Sequence, residues 1–128
     1  MAKYKILLVD DEEDIAETVK VRLEANDYEV IIAVDGVEGL DKARREKPDL
    51  MILDLMLPKM DGYKVCAFLK RDTRYAKIPI IMFTARAEES DKKTAEDVGA
   101  DAYIGKPFKP QVLLDKIKEL LQKSRGSS

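Results

Sequence analysis

Asp49-Leu50-Met51-Ile52-Leu53-Asp54-Leu55-Met56-Leu57-Pro58 is the most apolar stretch of the chain, and Asp54 sits where its strand character ends. The unbroken apolar run, closed by a turn signal at Pro58, predicts a fully buried strand of a parallel sheet. A carboxylate at the C-terminal end of such a strand falls in the crevice where open α/β sheets place their ligands. Outward from this segment, the same pattern recurs. Lys5-Ile6-Leu7-Leu8-Val9 stops at Asp10-Asp11, Ile80-Ile81-Met82-Phe83 stops at Thr84, and Lys106 follows Tyr103-Ile104-Gly105. Four strand ends therefore bring three carboxylates, one hydroxyl and one ammonium to one rim of one sheet.

Apolar runs at 5–9, 29–34, 49–53, 79–83 and 102–104 predict five strands. Helix patterns separate them: 14–26 with Ile15, Val19 and Leu23 on one face; 36–46 with Val37, Leu40 and Ala43; 62–71 with Val65, Cys66 and Leu69. A last helix over 110–123 opens with Pro110 in its first turn and buries Leu113, Leu114, Ile117, Leu120 and Leu121. This (βα)5 alternation implies a mostly parallel sheet with right-handed crossovers and helices on both faces. The fourth crossover, 88–97, has Ala95 as its only apolar residue, so tertiary packing holds it weakly. Two readings stay open there. It is either a surface helix anchored at Ala87, Ala95 and Val98, or a segment from the low-stability end of the fold that shifts on activation. Residues 1–123 form one domain, and the small, polar 124–128 are expected to be a flexible tail.

A chain of 128 residues with 45% apolar content has a single core and is not disordered. Its net charge of −2, with both signs mixed along the chain, argues against a nucleic-acid surface. Neither a membrane span nor a signal peptide is legible, which makes the cytoplasm the natural compartment. One cysteine, Cys66, excludes an internal disulfide and reads as a packed thiol. The chain has no histidine, which removes His-dependent triads, His-ligated zinc and imidazole bases. Any metal site must use oxygen, pointing to Mg²⁺, Mn²⁺ or Ca²⁺.

Val9-Asp10-Asp11, Leu53-Asp54, Thr84-Ala85 and Lys106-Pro107-Phe108, with Leu57-Pro58-Lys59-Met60-Asp61-Gly62 and Gly99-Ala100-Asp101, resemble in order and spacing the receiver (CheY-like) domain of two-component response regulators. The resemblance spans residues 4 to about 122. It implies a flavodoxin-like, doubly wound five-stranded sheet of order 2-1-3-4-5, and a phosphoryl group passed from a kinase phosphohistidine to an aspartate. A donor imidazole on a partner suits a chain without histidine. Asp54 would be the nucleophile and phosphoacceptor, with Asp10 and Asp11 holding Mg²⁺ directly or through water. By resemblance, Asp11 and Asp54 are direct ligands, Asp10 acts through water, the Met56 backbone carbonyl completes the set, and Mn²⁺ substitutes for Mg²⁺. Without metal the three carboxylates repel, so at least one pKa should rise. Lys106 would pair with a phosphoryl oxygen and Thr84 would donate its hydroxyl to another. The Lys106-Pro107 bond would be cis by resemblance, while the residues alone permit either isomer.

The resemblance also implies an output path. Thr84 moves toward the phosphate, Tyr103 turns inward behind it, and the surface of 88–97, strand 101–104 and the last helix changes shape. Met56 and Arg86 would border the route of hydrolytic water, giving slow to moderate self-dephosphorylation, and the domain would not be a turnover enzyme. A histidine kinase or histidine phosphotransfer protein would contact the first helix at Ala16, Glu17 and Lys20, and a downstream protein effector would read the output face. Asp101-Ala102-Tyr103 lacks a second acidic residue, which disfavours strong dimerisation and leaves a monomer or a weak phosphorylation-dependent dimer. A stand-alone receiver is slightly favoured over one cut from a longer DNA-binding regulator. Blander readings remain beside these. The acidic run 10–14 can complement a helix dipole, Thr84 can cap the weak helix, Tyr103 can be a plain half-buried strand residue, and Asp61-Gly62 reads as turn and cap chemistry. Three other functions are weaker. A metal-dependent phosphohydrolase would need an acid where Met56 stands, and a flavin binder would need a Ser/Thr/Gly-rich loop after the first strand. An idle scaffold would not need a complete site.

Overall fold

The computed structural model describes residues 3–85 and 89–126. Its five strands are β1 (Lys5–Val9), β2 (Glu29–Ala33), β3 (Leu50–Leu53), β4 (Ile80–Thr84) and β5 (Ala102–Gly105). The helices that follow them are α1 (Glu13–Glu24), α2 (Gly36–Glu46), α3 (Gly62–Lys70), α4 (Glu89–Asp97) and α5 (Pro110–Gly126). All strand pairs are parallel, in the order β2-β1-β3-β4-β5. The doubly wound α/β sheet expected from the alternation is therefore present in full.

Period-two alternation divides the strands between two apolar faces. Ile6, Leu8, Leu50, Ile52, Ile81 and Phe83 point toward α1 and α5. Leu7, Val9, Met51, Leu53, Ile80 and Met82 point toward α2, α3 and Ala95 of α4. The order reverses between β1 and β3, and their register pairs Val9 with Leu53. Asp10 and Asp54 thus emerge side by side at the switch point, and the Asp54 N–H donates to the Val9 carbonyl at 3.0 Å.

Several expectations are corrected at the level of faces and ends. Val37 is 49% exposed; the buried face of α2 consists of Gly36, Gly39, Leu40 and Ala43. The first turn of α2 is crowded against Met60 at Gly36 and against Val9 of β1 at Gly39, so glycine fits where a branched side chain does not. On α1 the buried residues are Ala16, Val19 and Leu23, with Ile15 half-buried, and the helix ends at Glu24. Helix α5 runs to Gly126, so residues 124–126 are helical, and of the expected tail only 127–128 lie outside the described residues. In the fourth crossover Ala95 is buried and Val98 half-buried, while Ala87 lies outside the described residues. No helix among the described residues is long and apolar enough to cross a membrane.

One close backbone approach frames the site from the side. The Gly36 N–H donates to the Pro58 carbonyl at 3.1 Å, joining the β2–α2 turn to the β3–α3 loop. A Cβ on Gly36 would lie 1.8 Å from the Met60 carbonyl oxygen, a backbone atom that cannot step aside. Asp35 caps α2 through the Glu38 N–H at 2.7 Å and faces Lys59 at 3.5 Å, reinforcing the same junction. Gly36→Ala should therefore cost about 3 kcal/mol of stability, measured by urea unfolding. Burial pushes the Cys66 thiol up to about 11, so at pH 8 native protein should react with maleimide about a hundredfold more slowly than unfolded chain.

Candidate functional site

Burying a carboxylate is costly unless a partner meets it, and this sheet buries two at neighbouring strand ends. Asp10 is 1% exposed and Asp54 3%. The partner for both is Lys106, whose Nζ lies 2.8 Å from Asp10 Oδ2, 3.1 Å from Asp54 Oδ2 and 2.9 Å from Glu12 Oε1. An ammonium has three N–H donors, and here each has a carboxylate. The Lys106 side chain is only 6% exposed, and its Nζ also lies 5.1 Å from the Phe83 ring centroid. Its aim is set by the Lys106 N–H donating to the Thr84 carbonyl at 2.8 Å, and the Lys106-Pro107 bond is cis.

The second oxygen of each buried aspartate organises its own loop. Asp10 Oδ1 accepts the Glu12 N–H at 2.9 Å, and Asp54 Oδ1 accepts the Met56 N–H at 3.2 Å. Gly62 closes the latter loop: its N–H donates to Leu55 O at 2.9 Å, and a Cβ there would meet Asp54 O at 2.2 Å. Asp61 caps α3 by accepting the Lys64 N–H at 3.0 Å, as the turn-and-cap reading requires.

Burial pushes the Asp10 carboxyl above its ordinary range; the Lys106 hydrogen bond and the Glu12 N–H pull down without cancelling it, and the Asp54 charge adds to the rise. The expected upward shift is present, but desolvation rather than carboxylate repulsion is its main cause. Burial opposes the Lys106 charge, yet hydrogen bonds to Asp10 and Glu12 and the Asp54 charge outweigh it and hold the ammonium above its usual range.

The described carboxylates that converge are Asp10, Glu12 and Asp54, with one oxygen of each within 4.8 Å of the others. Asp11, expected as a metal ligand, is exposed and outside that group. Glu12 is the residue the sequence reading missed. Its signal was its place two after Asp10, where the Asp10 side chain folds the backbone back onto the site. Glu13 and Asp14, by contrast, lie in the first turn of α1, so the dipole reading of the acidic run holds for them. Oxygen donors at this separation, with two negative charges more than Lys106 neutralises, suit a hard divalent cation such as Mg²⁺.

Thr84 is buried at the end of β4, and its reading as a cap of α4 falls on residues 86–88, which lie outside the described residues. Tyr103 pairs with Met82 across the sheet, packs on the α2–α3 side and has its hydroxyl buried. Met56 stands exposed at the rim, and Arg86 lies outside the described residues. Ala16, expected at a kinase contact, is buried against the sheet, whereas Glu17 is exposed and Lys20 half-buried. Packing of the small α1 residue into the core removes it from any docking surface in this conformation.

Comparison with known proteins bears on this arrangement. The family described as response regulator receiver domain matches residues 6–118. The alkaline phosphatase synthesis transcriptional regulatory protein PhoP of Bacillus subtilis is 48% identical over 120 residues, covering 94% of this chain and 49% of that protein. The DNA-binding dual master transcriptional regulator RpaA of Synechocystis is 44% identical, covering 94% and 50%. The chain spans about half the length of these curated relatives. Among solved structures, a CheY-like response regulator receiver domain protein of Methanospirillum hungatei superposes with a TM-score of 0.93 at 36% identity, covering 98% of this chain and 99% of that one. The chemotaxis protein CheY4 of Vibrio cholerae gives 0.87 at 34%, covering 93% and 99%.

The folded Asp10 carboxyl titrates above its unfolded value, so its contribution to stability is present below the unfolded pKa and lost as pH rises through the folded one. Asp10→Asn should thus raise metal-free stability at neutral pH. Wild-type protein should gain about 2.7 kcal/mol at a Mg²⁺ concentration of about 100 times its Kd, and the variant should lose that gain. Thermal unfolding with Mg²⁺ and with chelator measures both.

Proposed function

The chain belongs to the response regulator receiver family, and from that premise we propose that Asp54 accepts a phosphoryl group from a phosphohistidine of a histidine kinase or histidine phosphotransfer protein. The observation that carries the reading is a buried strand-end carboxylate within 3.1 Å of a buried ammonium and beside a second buried carboxylate. Asp54 Oδ attacks phosphorus, the P–N bond to the donor imidazole breaks, and the imidazole leaves with the partner protein. The phosphoryl group adds roughly −1.5 to −2 charge and three acceptor oxygens. Lys106, already facing Asp54 Oδ2, pairs with one of these oxygens, and the Thr84 hydroxyl donates to another. Asp10, Asp11, Glu12 and Asp54, with the Met56 carbonyl, are the groups available to hold Mg²⁺. When bound, the ion neutralises charge that would otherwise repel an anionic phosphoryl donor.

Such chemistry is mostly positioning and charge stabilisation, so the domain changes its own state without turning over a substrate. Thr84 and Tyr103 lie on adjoining strands, which supports a route from the phosphate to the α4–β5–α5 surface. The acidic, polar sequence of α4, with Ala95 as its buried anchor, supports a helix whose position costs little to change. A second reading places this receiver within a longer, DNA-binding transcriptional regulator of the cytoplasm. A transcriptional regulatory protein and a DNA-binding transcriptional regulator among the relatives, each about twice as long, favour it. In either reading this surface contacts protein, and nucleic acid would be bound elsewhere.

Intact mass after incubation with acetyl phosphate and Mg²⁺ tests the central step. One phosphoryl group should be gained by wild type, and none by Asp54→Asn or in excess chelator. Equal uptake by Asp54→Asn would place the acceptor at another residue.

A further inference from the structure

We infer that Glu12 is a positioning residue of this site, holding Lys106 in its resting place and keeping it close when Asp10 turns to a cation. The inference rests on the phosphoacceptor reading above. Lys106 has three carboxylate partners of unequal freedom. The Asp10 and Asp54 side chains are essentially without solvent, while the Glu12 side chain is 54% exposed. Burial commits the first two to the site, so Glu12 is the partner that can follow a moving ammonium at little cost.

The local backbone makes the same assignment from a different direction. Glu12 occupies the N-cap position of α1, yet its side chain makes no capping hydrogen bond. Its carboxylate is turned instead to Lys106 Nζ at 2.9 Å, across 94 residues of sequence. Its N–H is held by Asp10 Oδ1, so the residue that would take the cation also fixes where Glu12 stands.

A cation held by the Asp10 and Asp54 carboxylates would compete for the oxygens that now hold Lys106. Lys106 then keeps Glu12, which spares it an unpaired state in a nearly dry pocket. Glu12 thereby favours the cation twice, by adding negative charge and by receiving the displaced lysine. It opposes the next step twice, by competing with phosphoryl oxygens for Lys106 and by repelling an anionic donor. Removing the charge should separate the two effects.

The test compares wild type, Glu12→Gln, Glu12→Asp and Glu13→Gln. Isothermal titration calorimetry measures Mg²⁺ binding without donor, and intact mass follows phosphorylation by acetyl phosphate at saturating Mg²⁺. Glu12→Gln should weaken Mg²⁺ binding about three- to fivefold and raise the saturated phosphorylation rate by a similar factor. Glu12→Asp should fall between it and wild type. Glu13→Gln, which removes a neighbouring charge outside the Lys106 contacts, should leave both values unchanged. The inference is overturned if Glu12→Gln matches wild type in both measurements, if affinity and rate fall together, or if Glu13→Gln reproduces its effect. Wild-type protein that takes up no phosphoryl group would overturn the phosphoacceptor reading itself, and this inference with it.

Discussion

Two carboxylates cannot sit side by side inside a protein unless something answers their charge. Here the answer is one lysine delivered from the far end of the chain. Lys106 reaches Asp10 and Asp54 across 96 and 52 residues, and the strand ends of β1, β3 and β5 must be in place before the three can meet. The parallel register makes this possible, because pairing Val9 with Leu53 places the following aspartates next to each other. The ammonium does not balance the cluster. That residual negative charge suits the rim to a divalent cation and leaves the site energetically poised without one.

Around that ion-pair centre, rigidity and looseness are distributed unequally. The β3–α3 loop is held by Gly36 against Met60, by Gly62 against Asp54, and by caps at Asp35 and Asp61. The Asp54 carboxylate held this way has little room to drift, as the proposed role of nucleophile requires. On the other side, α4 has a polar sequence and its buried mooring at Ala95, near a tyrosine whose hydroxyl is already out of water. Under the proposed function, a charge change at Asp54 would move one side of the molecule while the other keeps the chemistry aligned.

Particular residues show where the sequence was legible. Asp10, Asp54, Thr84 and Lys106 could be read because each terminates an unmistakable apolar strand, and strands end at the rim of an α/β sheet. Helix faces were less legible. Val37 fits the apolar spacing of α2 but lies outside, since the buried side of the first turn meets Met60 at Gly36 and Val9 of β1 at Gly39. Ala16 looked available for a partner and is buried, because α1 rotates so that its small residue meets the sheet. Residues 124–126 looked like a tail by composition, yet backbone hydrogen bonding carries α5 to Gly126.

The sequence by itself determined the five-strand alternation, the buried carboxylates at strand ends and the oxygen-only character of any metal site. It did so because burial pattern and the absence of histidine are local facts. Only the tertiary structure decided that Glu12, and not Asp11, turns its carboxylate to Lys106. Two neighbouring acidic residues are indistinguishable in a linear reading. An Asp10 side chain bonded to the Glu12 N–H, and a lysine arriving from β5, separate them by direction. Direction exists only once the strands have been laid beside one another.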